Sequence, residues 1–383
     1  MKFPVRRLIF AGVLLLSIAT LLVVNGTHLF AQPTAKPQLS EKAFKNIQVL
    51  KGITVDDFMG TMGLFSAALS VCCGDCHTGA GTSDPKWEDD TPPKKKIARR
   101  MITMVNTINK ENFGGRTVIT CWTCHRGSES PAQTPPIDTI YSASPNFVPP
   151  DILPAAPPKT SGTPPADEIL DKYIQALGGA DQLAKLTSYR LKGTSLLFGA
   201  AGGDPAEILA KAPSNIALEV HQKEGEMART YNGRDGWVAL PLTVVKEYPL
   251  TDGALEGAKL VGEMAFPGKI KQYLTNWKAS YPATVDGKDV YVVQGSGPSG
   301  LLATFYFDKQ SGLLNRLVYY FNSAMGRVPT QIDYSDYRVV AGVKLPFKWI
   351  YGWVSGQEQY AFTDAEPNAA IPDSAFAKPS GAQ

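Results

Sequence analysis

The sequence predicts a multidomain chain: a mainly α-helical segment, then a proline-rich linker, then an α+β domain with a curved antiparallel sheet. Three observations support this fold class. Two stretches before residue 130 repeat apolar residues every three or four positions, which is the period of a helix face. Eleven prolines crowd residues 131–165. Beyond them, short apolar runs alternate with turn residues, as in a sheet.

The N-terminus indicates export. Lys2, Arg6 and Arg7 precede an apolar run over residues 8–24, and Ala31 offers a cleavage site. The run is also long enough for an uncleaved single-span anchor, so a signal peptide and an anchor both stay open. Either alternative predicts a periplasmic protein, and the second adds membrane association through the N-terminus.

These signals divide the chain into four parts. We predict a signal peptide or N-terminal anchor at 1–31, a helical domain at 32–130, a linker at 131–165 and a sheet domain at 166–383. The linker prediction depends on the prolines, because proline at this density prevents helix interiors and central strands.

Two helices are predicted within 32–130. The first begins with a capping box of Thr54 and Asp57 and ends at Leu69, and the second extends from the prolines at 92 and 93 to Asn109. Each has one apolar face with the same spacing. These faces consist of Phe58, Met62, Phe65 and Leu69 in the first helix, and Ile97, Met101, Met104 and Ile108 in the second. Each helix precedes a Cys-x-x-Cys-His unit, which predicts a diverged tandem repeat.

The segment 166–383 opens with an amphipathic helix at 167–177, stopped by Gly178 and Gly179. Strands and turns follow, with turns at 231–237 and 286–287. The predicted strands cover 290–294, 304–307, 313–321, 330–334, 343–353 and 358–362. Few helical signals intervene, which favours a curved antiparallel sheet.

Four of the five cysteines lie in two Cys-x-x-Cys-His units, at 73–77 and 121–125. This spacing suits covalent c-type haem, in which two thiols bond the vinyl groups and the histidine ligates the iron. We therefore predict two covalently bound haems c. Their anchoring thiols are Cys73, Cys76, Cys121 and Cys124, and their iron ligands are His77 and His125. A four-thiolate zinc site and a disulfide redox pair are alternatives, but neither explains the histidines.

The second axial ligand of each iron follows by elimination. One further histidine of the exported chain, His221, lies in the strand-rich part and is expected at the surface. Methionine is the usual other ligand in cytochromes. Met62 and Met101 occupy equivalent positions on the two helix faces, so we assign Met62 to the first haem and Met101 to the second. The alternative is that the methionines of these helices are core residues.

Residues next to the motifs have open roles. Cys72 adjoins Cys73 and is expected to be a small buried residue, with a reactive thiol as the alternative. Arg99 and Arg100 suit either haem propionates or a solvated helix face.

The second unit lies within a specific pattern. It comprises Ala-Arg-Arg-Met at 98–101, Met104, Ile-Asn at 108–109 and Val-Ile-Thr-Cys-Trp-Thr-Cys-His-Arg-Gly at 118–127. The pattern closely resembles the cytochrome c subunit of photosynthetic reaction centres, over roughly residues 40 to 130. The resemblance implies that a helix methionine supplies the sixth iron ligand and that the subunit reduces a photo-oxidised pigment pair. That subunit typically carries four haems, whereas this chain has two motifs.

The last segment has cues of its own: the helix ending at Gly178 and Gly179, the turn at 231–237 and the stretch 334–347. It resembles the curved half-barrel of periplasmic lipoprotein-carrier proteins. The resemblance implies a sheet that can wrap a lipidic ligand, and a filled apolar core is the alternative.

Together these features predict an electron carrier and not an enzyme. The expected partners are redox proteins, including a membrane electron-transfer complex by resemblance. A dihaem peroxidase-like enzyme is one alternative, which needs an open iron site and a distal acid–base residue. A lipid or lipoprotein carrier with a redox-sensing haem domain is the other. The net charge of +3 and the absence of a long basic run exclude nucleic acid as a partner.

Overall fold

The computed structural model of the chain describes residues 36–131, 162–197 and 200–379. The predicted signal or anchor at 1–31 and all but the ends of the predicted linker lie outside the described residues. Among the described residues, no helix has both the length and the apolar character needed to cross a bilayer.

The described chain before residue 131 is helical. Its helices are α1 (Ser40–Ala43), α2 (Val55–Leu69), α3 (Pro93–Phe113) and α4 (Cys121–His125), with a 3-10 turn at Cys73–Asp75. Helix α2 begins where the sequence predicts, because Thr54 Oγ1 accepts a hydrogen bond from the Asp57 N–H at 3.1 Å. Helix α3 begins with its proline, as predicted, and continues beyond Asn109 to Gly114, which ends it in the left-handed region at φ 62°.

Strands and four further helices make up the rest of the described chain. The helices are α5 (Ala166–Leu177), α6 (Ala180–Lys185), α7 (Asp252–Ala265) and α8 (Ile270–Tyr273). The strands are β1 (Ser188–Leu197), β2 (Asp204–Lys211), β3 (Asn215–Gln222), β4 (Gly225–Tyr231), β5 (Gly236–Ala239), β6 (Glu247–Pro249), β7 (Thr275–Ala279), β8 (Ala283–Val285), β9 (Lys288–Ser296), β10 (Leu302–Asp308), β11 (Leu314–Ser323), β12 (Gly326–Val340), β13 (Val343–Trp353) and β14 (Gly356–Pro367).

The strands form one antiparallel sheet that curves around a continuous core. Neighbours follow the order β6-β5-β4-β3-β2-β1-β14-β13-β12-β11-β10-β9-β7, with β8 paired to β9. Leu191 of β1 and Phe305 of β10 lie far apart in this order, yet they share one apolar core with Leu170 of α5 and Leu260 of α7. The sheet must bend to bring these side chains together, which confirms the predicted curved antiparallel sheet.

Helix α7 is a correction to the prediction that few helices interrupt the sheet. Its glycines weaken the helical signal, because glycine disfavours helix interiors by about 1 kcal/mol relative to alanine. The same glycines allow close packing. A Cβ at Gly257 would meet the Tyr319 ring, and one at Gly262 would meet the Ser214 carbonyl. Packing of this helix inside the sheet therefore overrides its low intrinsic propensity.

Helix α2 packs directly on the sheet. Leu64 forms an apolar cluster with Ile102 of α3 and with Met325 from the turn between β11 and β12. The Asp57 carboxylate accepts a hydrogen bond from the Ala324 N–H at 2.9 Å. The described residues from Pro37 onward accordingly form one compact unit. The domain bounds at 130 and 166 stay predictions, because most of the linker between them lies outside the described residues.

Candidate haem sites

The second Cys-x-x-Cys-His unit forms the single turn of helix α4. Thr120 Oγ1 accepts from the Thr123 N–H at 3.3 Å, and Thr123 Oγ1 accepts from the Thr120 N–H at 3.0 Å, which caps the turn. Cys121 and Cys124 are three residues apart on this turn, so their thiols lie on the same side of it.

His125 has a fixed orientation beside these thiols. Its Nδ1 lies 3.0 Å from the Ser128 carbonyl oxygen. A carbonyl can only accept a hydrogen bond, so Nδ1 carries the proton and Nε2 keeps its lone pair. A histidine that ligates a metal through one ring nitrogen usually donates a hydrogen bond from the other nitrogen, often to a backbone carbonyl.

The first unit has the same arrangement on a different local structure. The Cys73–Asp75 turn is capped by the Asp75 carboxylate, which accepts from the Cys72 N–H at 2.9 Å. His77 Nδ1 lies 3.3 Å from the Trp87 carbonyl oxygen, so Nε2 is again free to ligate. Burial lowers the pKa of His77, which favours the neutral form that binds a metal.

The loop that presents the Trp87 carbonyl is tied to helix α3. Lys95 Nζ donates to that carbonyl and to the Asp89 carbonyl, both at 2.8 Å. Arg99 Nη1 donates to Asp90 Oδ2 at 2.9 Å, and its Nη2 lies 2.9 Å from Oδ1. This two-point contact holds the pKa of Asp90 well below its ordinary value. The Arg99 side chain is therefore bound to the loop through Asp90, whereas Arg100 is exposed.

All five cysteines are free thiols. Burial raises the pKa of Cys76 and of Cys121, so both are protonated as free thiols at neutral pH. Cys72 is exposed, with its Sγ 3.2 Å from Asp75 Oδ2. The expectation that Cys72 is a small buried residue is therefore wrong. The Asp75 carboxylate accepts from both the backbone and the thiol of Cys72, which holds this residue at the surface.

The predicted methionine face of α3 is partly exposed, whereas that of α2 is half-buried throughout. Phe65 of α2 packs on an apolar cluster, and Phe58 stacks on Phe44. Met62 and Met101 are half-buried, whereas Ile97 and Met104 are 45% and 44% exposed, and Trp122 of the second unit is 52% exposed. Apolar side chains gathered at the surface mark a surface that binds another group.

These donors and surfaces fit haem c. Each unit offers two thiols and one oriented imidazole nitrogen. The helix before the second unit also has an exposed apolar face that a porphyrin could cover. In the part of the chain that the structure describes, no three His, Cys, Asp or Glu side chains group as a metal-ion site. The two cysteine pairs thus do not meet as the four-thiolate zinc alternative requires.

The structure adds residues that the sequence did not predict. The carbonyls of Trp87 and Ser128 orient the two histidines, and Lys95 holds the first of these carbonyls. Every residue has a carbonyl, so no sequence pattern could mark these two. His221 lies half-exposed near Glu226, 3.9 Å away, as expected for a surface residue.

Comparison with known proteins agrees with this geometry. Residues 24–143 match the family described as the photosynthetic reaction centre cytochrome C subunit. The photosynthetic reaction center cytochrome c subunit of Thermochromatium tepidum is 32% identical over 105 residues, which are 26% of this chain and 24% of that protein. The subunit of Roseobacter denitrificans is 32% identical over 108 residues, covering 26% and 29%. The chain thus spans about a quarter of the length of these relatives.

Solved structures also align with part of the chain. A LolA superfamily protein from Nitrosomonas europaea aligns at 17% identity and a TM-score of 0.38, over 56% of this chain and 99% of its own. A DUF1329 family protein from Desulfovibrio piger aligns at 13% identity and a TM-score of 0.39, over 56% and 98%. For the segment that carries both Cys-x-x-Cys-His units, the predicted resemblance to the photosynthetic reaction centre cytochrome c subunit is confirmed.

Proposed function

We propose that residues 40–130 bind two haems c and that the protein is an electron carrier. One observation carries this proposal. In both units the histidine directs Nδ1 to a backbone carbonyl, at 3.3 Å in the first and 3.0 Å in the second, and leaves Nε2 for iron. Two separate loops supply these carbonyls, so the same arrangement arises twice from different residues.

The residues of each site have distinct roles in this proposal. Cys73 and Cys76 would hold the first porphyrin through thioether bonds, and Cys121 and Cys124 the second. His77 and His125 would ligate the two irons. Haem supplies one-electron redox chemistry, while the chain supplies the ligands, orients them and excludes water.

Met62 and Met101 are the proposed sixth ligands. Both side chains are half-buried and neither is fully packed in the core, which supports their availability to a bound group. Met59 serves as the matched control on helix α2, because it lies off the predicted methionine face and lines a cavity within the sheet. Methionine ligation raises the reduction potential of a haem.

The experiment is a spectroelectrochemical titration of full-length protein that has been exported and loaded with haem. Met62→Ala and Met101→Ala should each lower one of two midpoint potentials while both haems stay attached. Met59→Ala should leave both potentials unchanged. The ligand assignment is wrong if the first two variants keep the parental potentials and ferric spectrum. The electron-carrier proposal is wrong if the unmodified protein has a five-coordinate haem that turns over peroxide rapidly.

Location and partners complete the proposal. We propose that residues 1–31 act as a signal peptide or anchor and that the protein is located in the periplasm. Its partners there are redox proteins. A membrane electron-transfer complex is one such partner. Fractionation of cells expressing the full chain tests the location, because a cytoplasmic, haem-free product would contradict it. Alkaline extraction of membranes distinguishes an anchored chain from a released one.

A further inference from the structure

A cavity of about 180 Å³ lies inside the curve of the sheet. Its walls come from both halves of the strand order. Leu218 of β3 and Val238 of β5 form one side, and Tyr319 of β11 and Tyr351 of β13 form the other. Helix α2 contributes a further wall with Asp56, Met59, Gly60 and Gly63. Most of the lining is apolar or aromatic.

The Arg229 side chain supplies a positive charge to the wall of this cavity. Alternation along β4 places it on the same face as Tyr231, which belongs to the core. The guanidinium lies 5.3 Å from the Tyr351 ring centroid and 5.4 Å from that of Trp353. Among the described residues, no carboxylate forms a direct ion pair with it, and it interacts electrostatically with Asp56 on the same cavity wall. A guanidinium in a largely apolar wall without a direct ion-pair partner is costly, and an anion bound there would offset this cost.

The nearby acidic groups are engaged elsewhere. Asp56 Oδ2 accepts from the Thr251 N–H at 3.0 Å and from its hydroxyl at 3.3 Å. Burial raises the pKa of Asp56 to about 7, so near neutral pH this side chain is partly protonated and repels an anion weakly. Glu358 accepts hydrogen bonds from Ser195 Oγ at 2.5 Å and Tyr360 Oη at 2.8 Å.

We propose that this cavity binds a small monocarboxylate with an aromatic or short aliphatic body. Its carboxylate would pair with the planar fork of Arg229, which suits two parallel hydrogen bonds to carboxylate oxygens. Its body would contact the apolar walls. An apolar cavity of about 150 Å³ is known to bind benzene, so benzoate matches the available space. The site requires no haem and is independent of the proposed electron transfer.

The test uses the full-length protein with benzoate as the probe and benzyl alcohol as its neutral counterpart. Calorimetric titration should show benzoate binding at least about tenfold more tightly, because a hydrogen-bonded charge pair contributes at least that factor. Arg229→Gln should abolish this preference. Arg190→Gln is the matched control, since Arg190 lies outside the cavity and contacts Glu207 and Glu366. It should leave benzoate binding unchanged.

A second variant tests the location without changing charge. Ala258 lines the cavity, so Ala258→Leu should fill it and weaken both probes. If Arg229→Gln does not fold, the comparison of the two probes on the unmodified protein still decides. Equal affinity for the two probes would overturn the proposal. So would benzoate binding that survives Arg229→Gln or Ala258→Leu unchanged.

Discussion

Replacing Asp56 by asparagine should remove part of the pH dependence of stability. Asp56 is near the start of helix α2, between the cavity and Thr251. Burial raises its pKa from 3.8 to about 7, and the neighbouring Asp57 charge adds to the rise. Asparagine keeps an oxygen that can accept from the Thr251 N–H, so Asp56→Asn removes the titration with little change of shape.

The sign follows from linkage. Because the folded pKa lies above the unfolded one, the folded state binds more protons between about pH 4 and pH 7. Stability is therefore lost as the pH rises through this window. One pKa unit corresponds to about 1.4 kcal/mol, so the loss from about pH 5 to pH 8 is at most about 3 kcal/mol. Partial contact of the side chain with solvent weakens the effect, so we expect a loss of about 1–3 kcal/mol.

The assay is urea unfolding of the haem-loaded protein at about pH 5 and pH 8. The unmodified protein should lose more free energy of unfolding across this interval than Asp56→Asn, by about 1–3 kcal/mol. Asp84→Asn is the control, because Asp84 is an exposed loop residue paired with Lys86. Equal pH dependence in the unmodified protein and Asp56→Asn would refute the reasoning.

Two further predictions concern packing and the first haem site. Leu64→Ala should lower the free energy of unfolding by about 2–5 kcal/mol, because it opens a cavity between helix α2 and the buried Met325. Urea unfolding measures this loss, and a value below about 1 kcal/mol would contradict the packing. Cys72→Ser should leave two covalent haems, whereas Cys73→Ser should lose one thioether bond to the first haem. The absorption spectrum under denaturing conditions distinguishes these outcomes, and a thioether defect in Cys72→Ser would show that Cys72 takes part in attachment.

The sequence predicted those helix ends and strands that depend on interactions between residues close together in the chain. Thr54 caps helix α2 through its own side chain. A proline begins helix α3 because the first backbone N–H groups of a helix have no acceptor within it, and proline has no N–H. The strand predicted at 343–353 has those bounds in the structure. Its regular inward alternation of apolar residues is a strong signal for a strand.

Contacts between distant residues could not be predicted in this way. Two examples are the hydrogen bond between Asp57 and Ala324 and the close approach of Gly257 to Tyr319. Both depend on the tertiary arrangement of segments that are far apart in the sequence. The sequence did hold one unused signal. Arg229 interrupts an inward-facing row of β4 that otherwise consists of Met227 and Tyr231, which marks a charged side chain directed toward the core.

The most direct test of the haem assignment is a count of covalent porphyrin and metal per chain in protein matured by an exporting host. We predict two iron atoms per chain and two porphyrins that stay with the polypeptide after acid–acetone extraction. An extractable porphyrin, a chain without porphyrin, or zinc in place of iron would contradict the account.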